Sequence, residues 1–333
     1  MKLRVGLDVG GTKTAALIVD EAGRPLGRAV RPTQSDSPPS LVSGIRATID
    51  QALHDADQSL ESLVAAGVGI PGQVDPTNGT VRLAVNLNLT DPYPLRDILQ
   101  ETLGIPVALE NDVRAAAWGA YHWAGQQAPL NSLAYLSIGT GISAGLILDG
   151  HLYRGAHGMA GEIGHIPFEV TGPRCVCGSY GCLEAFAAGP AIAASAATLA
   201  DAGHNLTTDE VYALAAAGHP AATQIVERAA GYLARAVYLL VMTYDVEKVV
   251  LGGGVTRAAD AFEQPLRRAL DTLRAASSLA SSMMPDEKVV IIPPDYNAGV
   301  MGAVFLAPAP MPADRQEENE KSTESASPIA VKQ

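Results

Sequence analysis

A stretch near the start of the chain returns, in related form, 129 residues later. Leu3 to Asp20 reads LRVGLDVGGTKTAALIVD, and Leu133 to Asp149 reads LAYLSIGTGISAGLILD. In that alignment Gly10 falls on Gly139, Leu17 on Leu146 and Asp20 on Asp149. Each copy is an apolar strand, a Gly/Thr turn and a second apolar strand. A strand–turn–strand unit therefore opens each half of the chain, which restricts the fold to one with two related halves. The glycines let backbone N–H groups approach a phosphate closely, and the threonine hydroxyls add donors. One such loop is ordinarily just a hairpin. Two of them, one per half, point to a nucleotide phosphate chain gripped between two domains.

The remaining segments read as α/β. Leu41, Ile45, Ile49 and Leu53 recur every four residues, the spacing of an amphipathic helix. Ala65 to Ile70 is an apolar run ending in Pro71-Gly72, a strand meeting a turn. Val107 to Leu109 is a brief strand, and an Ala-rich helix begins at Val113. Ile225 to Tyr244 reads as a long helix running into Lys248-Val249-Val250-Leu251 and Gly252-Gly253-Gly254, with a further helix from about Ala258. The triple glycine permits close approach of a flat ligand or packing of that helix on the strand. A length of 333 residues accommodates two domains of ordinary size. The net charge of -12 argues against nucleic acid or an anionic membrane as a partner. No apolar run reaches bilayer length, and the chain enters a strand at once, so a cytoplasmic location is expected. From Pro308 to Gln333 the chain turns rich in Pro, Glu, Ser and Lys and is expected to be disordered.

All three cysteines fall within eight residues, at Cys175, Cys177 and Cys182, ten positions after His165. Three thiolates and an imidazole fill a tetrahedral zinc site and leave no position for water, which makes the metal structural. Gly178 and Gly181 let the chain turn back sharply between the thiols. A disulfide is the competing reading; it leaves one thiol over and wants an oxidising compartment. Glu162 lies one helical turn before the histidine and Glu184 two residues after the last cysteine. Polar groups thus gather around a rigid knot, as a small polar ligand requires.

These segments together carry a resemblance. Asp8-Val9-Gly10-Gly11-Thr12-Lys13, Ile138-Gly139-Thr140-Gly141 and Leu251-Gly252-Gly253-Gly254 resemble the two phosphate motifs and the adenosine motif of the actin-like ATPase superfamily. Gly161 to Glu184 resembles the zinc signature of one branch, the ROK family of repressors, open reading frames and sugar kinases. Asn297 to Ala303 resembles that family's closing helix, which packs back on the N-terminal domain. The likeness spans about residues 3 to 307. It implies an α/β fold of two ribonuclease-H-like domains around a cleft. Residues 1–113 plus about 297–307 would form the N-terminal domain and 114–296 the C-terminal domain with the knot. Family repressors carry a helix-turn-helix before the first phosphate loop, and seven residues before Asp8 do not hold one.

The resemblance implies an ATP-dependent hexose kinase, a homodimer or homotetramer, with Mg²⁺ and structural zinc. Asp8 would stand on the metal side of the phosphates. Gly10, Gly11, Thr12, Gly139, Thr140 and Gly141 would position them, and Gly252, Gly253 and Gly254 would border the adenosine. Asp112, in Glu110-Asn111-Asp112, would be the general base; on local grounds alone the triplet reads as a helix N-cap. The sugar would meet Asn111, Glu162, His165 and Glu184, with Gly72 and Asn86 from the N-terminal side. If one nitrogen of His165 holds zinc, the other remains free for a sugar hydroxyl. Lys13 is left without a role. Three departures from the family stand out: Ser143 and Ala144 replace glycines, Arg114 replaces an asparagine, and Asn86-Leu87-Asn88 lacks the Gly-Trp usual in bacterial glucokinases. Glucose is the expected sugar, with N-acetylhexosamine and then fructose behind it. A non-catalytic sugar-binding regulator is the reading from a different class.

Overall fold

The computed structural model describes residues 2–199 and 205–308. The tail expected to be disordered lies outside them except for Pro308. The first half opens with the meander β1 (Leu3–Val9), β2 (Lys13–Val19) and β3 (Pro25–Pro32), followed by α1 (Pro38–Asp55). Strand β4 (Leu63–Ile70) then runs parallel to β1. A small ribbon, β5 (Gln73–Asp75) with β6 (Thr80–Leu83), precedes α2 (Leu95–Leu103), β7 (Val107–Asn111) and α3 (Asp112–Gly125). The second half repeats the scheme with β8 (Leu133–Ile138), β9 (Ile142–Leu148) and β10 (His151–Tyr153). Helices α4 (Glu184–Ala187), α5 (Gly189–Ser195), α6 (Thr208–Ala216) and α7 (Pro220–Tyr244) lead to β11 (Lys248–Gly252). The chain ends with α8 (Asp260–Ala276), α9 (Ser278–Met283), β12 (Val289–Ile291) and α10 (Ala298–Leu306).

The two main sheets have the same construction. Their orders are β3-β2-β1-β4-β7 and β10-β9-β8-β11-β12. In each, three antiparallel strands are followed by two added in parallel. The duplication in the sequence is thus a duplication of topology, and the fold is the two-domain actin-like ATPase kind. Parallel strands need helical crossovers, and α1 and α7 supply faces for them. On α1, Leu41, Ile45, Ile49 and Leu53 are all buried, as their spacing predicts. Each such side chain contributes roughly 1.5–3 kcal/mol of burial. Ser37 caps this helix, accepting from the Ser40 N–H at 3.3 Å, and prolines open its first turn.

Small differences from the expected boundaries have local causes. Strand β4 begins two residues earlier than its apolar run, because Leu63 pairs with Leu3 and the register then skips Val64 to pair Ala65 with Arg4. The helix expected from about Ala258 starts at Asp260, after a 3₁₀ turn at Val255–Ala258.

Helix α10 does return to the first sheet, and glycine makes the approach possible. A Cβ on Gly67 in β4 would collide with the Ala303 carbonyl of α10, and one on Gly302 with the Ala115 carbonyl of α3. Helix α3 lies between the halves: Ala115 packs on Gly69 of β4, and Ala117 on Gly145 of β9. Asp112, at its first turn, therefore starts where the two sheets meet. Among the described residues no helix is long and apolar enough to cross a membrane.

Candidate active site

Asp8 lies near the end of β1, paired with Ala15 on β2 and Gly69 on β4. Its carboxyl is pushed up to about 6, first by burial and then by the charge of Asp112, with Lys13 opposing. Asp112 is also raised, by burial above all; the Val113 N–H, the nearby Arg114 charge and Asn111 pull the other way. Burial is the first cause at both carboxyls, and the charge of Asp112 adds to the rise at Asp8. Between them and the second half lies Tyr135 on β8, whose phenol is raised by burial and then by Asp8 and Asp112. The sequence reading did not single out Tyr135, since a tyrosine in a buried strand looks like core.

The capping role that the triplet offered belongs to Asn111. Its Oδ1 accepts from the Val113 and Arg114 N–H groups at 3.1 and 3.2 Å, and its Nδ2 donates to the Gly72 carbonyl at 3.2 Å. Gly72 has φ +95, a left-handed value suited to glycine. Asp112 Oδ1 takes only the Val113 N–H, at 2.9 Å. One carboxylate oxygen of Asp112 therefore keeps no bond to the backbone.

The two glycine loops are held from outside. Thr33 Oγ1 donates to the Gly10 carbonyl at 2.7 Å, and Gly10 N bonds Lys13 O at 2.8 Å, closing the first turn around Gly11 and Thr12. Asn86 lies against Gly11 of the first loop. In the second loop Gly139 N bonds Gly141 O at 2.9 Å across Thr140, and Gly139 lies beside Gly254. Gly252 backs onto Tyr135, and Gly253 takes φ +104 directly over the Ile138 carbonyl. The second and third glycine segments thus come together, although they are far apart in sequence.

Glu184 has a bond that sequence did not reveal: its Oε2 accepts from Ile142 N at 2.9 Å, at the exit of the second loop. Glu162 is raised mainly by partial desolvation, with Asp112 and Glu184 adding to the rise and His165 and Arg114 opposing it. Glu162 thus lies within electrostatic reach of His165, Arg114, Asp112 and Glu184. The flagged Ser143 donates to the Gly161 carbonyl at 3.1 Å, tying the second loop to the segment that carries Glu162.

The ligating atoms of His165, Cys175, Cys177 and Cys182 all lie within 4.8 Å of one another. Cys177 Sγ is 3.7 Å from Cys182 Sγ, and Cys175 Sγ is 3.6 Å from His165 Nδ1. A tetrahedral zinc with bonds of about 2.3 Å to sulfur and about 2.0 Å to nitrogen demands separations of roughly 3.8 and 3.6 Å. The donor set fits that metal, and the sulfurs are too far apart for a disulfide. Gly178 and Gly181 both have positive φ, as the tight turn required.

The matched family model settles the relationship: the chain has the duplicated fold of an actin-like ATPase, and residues 4–309 match the ROK family. The chain belongs to the ROK family. It is 33% identical to a glucokinase of Halalkalibacterium halodurans, over 79% of this chain and 84% of that one. It is 31% identical to an N-acetylmannosamine kinase of Vibrio cholerae, over 90% of this chain and 98% of that one. A ROK glucokinase of Streptomyces griseus, solved with glucose and AMPPNP, superposes with a TM-score of 0.75 at 30% identity, covering 92% of this chain and 99% of that one.

Asp8→Asn isolates the cost of the carboxylate pair. The folded pKa of about 6 stands above the ordinary 3.8, so the native state holds this proton more tightly than the unfolded one. Its contribution to stability is full below pH 4 and is lost as pH rises through 6. In metal-free protein the asparagine variant is expected to be more stable than wild type at pH 7.5 by about 1–3 kcal/mol, and no more stable at pH 4. Urea midpoints at the two pH values measure this. An equal difference at both would assign the effect to packing instead.

Proposed function

We propose that this chain is an ATP-dependent hexose kinase that transfers the γ-phosphoryl group to O6 of glucose. The observation that carries the reading is the pair of raised carboxyls, Asp8 before the first glycine loop and Asp112 at the head of α3, with Glu162 within electrostatic reach of Asp112, His165 and Glu184. Relatives named as glucokinases support it. Residues 1–113 and 297–307 would form one lobe and 114–296 the other.

In this reading the amides around Gly10, Gly11, Gly139 and Gly141, with the hydroxyls of Thr12 and Thr140, hold the phosphates. Gly252, Gly253 and Gly254 border the adenosine. Asp8, a raised carboxylate facing the first loop, suits the metal side of the phosphates, where a bound Mg²⁺ would neutralise charge on the outer phosphates. Asp112 accepts the proton of the sugar O6 hydroxyl as that oxygen forms its bond to the γ-phosphorus and the β–γ bridge breaks. Asn111, Glu162, His165 and Glu184, with Gly72 and Asn86, orient the ring hydroxyls. His165, Cys175, Cys177 and Cys182 would hold a structural zinc, which would stiffen the knot that carries three of those groups.

The Vibrio cholerae relative supports a second sugar, an N-acetylhexosamine. An acetamido group needs an apolar recess, whereas Asn88, Thr90 and Asp91 of the loop after Asn86 suit hydroxyls. ADP release on a panel of hexoses is expected to give the highest kcat/KM for glucose. A higher value for the acetamido sugar would overturn glucose and keep the kinase; no turnover on any sugar would overturn the kinase.

A further inference from the structure

Helix α10 reaches Asp8 at a glycine that the mechanism does not use. Gly299 stands in the first turn, two residues after the cap Asn297, whose Oδ1 accepts from Val300 N at 3.2 Å. A Cβ at Gly299 would lie 2.7 Å from Asp8 Oδ2, 2.9 Å from its Cγ and 3.3 Å from its Oδ1. The nearest neighbours of that missing side chain are therefore all in one carboxyl group. Gly299 is not among the glycines with positive φ, so its backbone would accept alanine, the better helix former. The other glycines of this crossing differ. At Gly6, Gly67 and Gly302 a Cβ would meet a main-chain carbonyl, of Val300, Ala303 and Ala115 in turn. Those three let backbones approach, whereas Gly299 leaves room for a side chain.

The same helix touches α3. Gly302 packs on Ala115, and Ala298 on Gly119. Ala115 lies three residues after Asp112, in the first turns of α3. One helix thus abuts Asp8 at Gly299 and α3 a turn later. We propose that Gly299 is a positioning residue for phosphoryl transfer: its bare Cα leaves the space that the Asp8 carboxyl fills, and α10 thereby sets the spacing of Asp8 and Asp112. The roles of the two carboxyls rest on the kinase reading above. With glycine beside it the carboxyl sits at its minimum, so a methyl group that displaces it costs stability and moves its charge.

Wild type, Gly299→Ala, Asp8→Ala and the double variant, each as the full chain and free of metal, are compared by urea midpoint. Gly299→Ala is expected to lower the midpoint where Asp8 is present, and to leave it unchanged or raise it in the Asp8→Ala background, the coupling expected of residues in contact. A Gly299→Ala chain that folds only together with Asp8→Ala supports the inference most strongly. Equal shifts in the two backgrounds, or a double variant that does not fold, overturn it and make Gly299 a packing residue of the crossing. In turnover, Gly299→Ala is expected to lose about tenfold to a hundredfold in kcat, the scale for a group misplaced by about 1 Å, with calorimetric glucose affinity unchanged. A wild-type kcat, or a loss matched by an equal loss of glucose affinity, also overturns it. The two readings fail separately. If wild type phosphorylates no hexose the kinase falls, and the midpoints still decide whether Gly299 sets the place of Asp8.

Discussion

Asp112→Asn is expected to bind hexose about as well as wild type and to turn over at least about a hundredfold more slowly, the loss expected when a general base is removed. The substitution is chosen so that structure is spared. Asn111, not Asp112, caps α3, and the one backbone bond of Asp112, from Val113 N, can be accepted by an amide oxygen. A neutral side chain also relieves the desolvation that raises the carboxyl, so the variant should be no less stable than wild type. The raised carboxyl has a kinetic signature. The base must be ionised, so wild-type kcat/KM should fall on the acid side below a pKa higher than that of an ordinary carboxylate. Calorimetry and a coupled ADP assay separate binding from turnover. Near-normal turnover in the variant moves the base elsewhere. A wild-type protein that binds sugar without phosphorylating it favours the regulator reading.

Much of this site was legible in sequence because the duplication is local in each half. An apolar strand, a glycine turn and a second strand are short-range features, and both copies fold as read. The alignment also shows where the halves part. At the same offset of 129, Asp8 falls on Ser137 and Gly6 on Tyr135. The second copy therefore keeps the loop and loses the carboxylate, and it carries a ring where the first copy carries the bare backbone that admits α10. What sequence did not disclose are the contacts made at long range. The bond of Glu184 to Ile142 spans 42 residues and that of Arg154 to Glu110 spans 44. No periodicity marks such a pair, because each partner alone looks like a solvated charge. Arg114 and Ser143 could be flagged as departures from a family pattern. Their common destination, the carbonyls of Gly158 and Gly161 flanking the approach to Glu162, required coordinates.

Cys177→Ser is expected to lose zinc, stability and sugar affinity together. Cys177 is the exposed member of the set, so replacing its sulfur with oxygen leaves no cavity. Any large loss must then come through the metal, whose binding energy is folding energy in a structural site. A loss on the order of 3 kcal/mol, or about 5–10 °C in Tm, is expected. Sugar affinity should follow because the knot bears the ligands: His165 is in it, Glu162 lies three residues before it and Glu184 two residues after Cys182. Backbone bonds also pin the knot, Phe168 N to Gly181 O at 2.7 Å and Cys175 N to Ser179 O at 2.8 Å among them, so the loss should weaken the knot rather than unfold the chain. A chelator supplies the control. It should lower the Tm of wild type to that of Cys177→Ser and leave the variant unchanged. Freshly purified, unoxidised wild type without zinc, or a chelator that leaves its Tm where it was, would remove the metal from the account. The close approach of three thiols and an imidazole would then have to be held by packing and the backbone bonds of the knot.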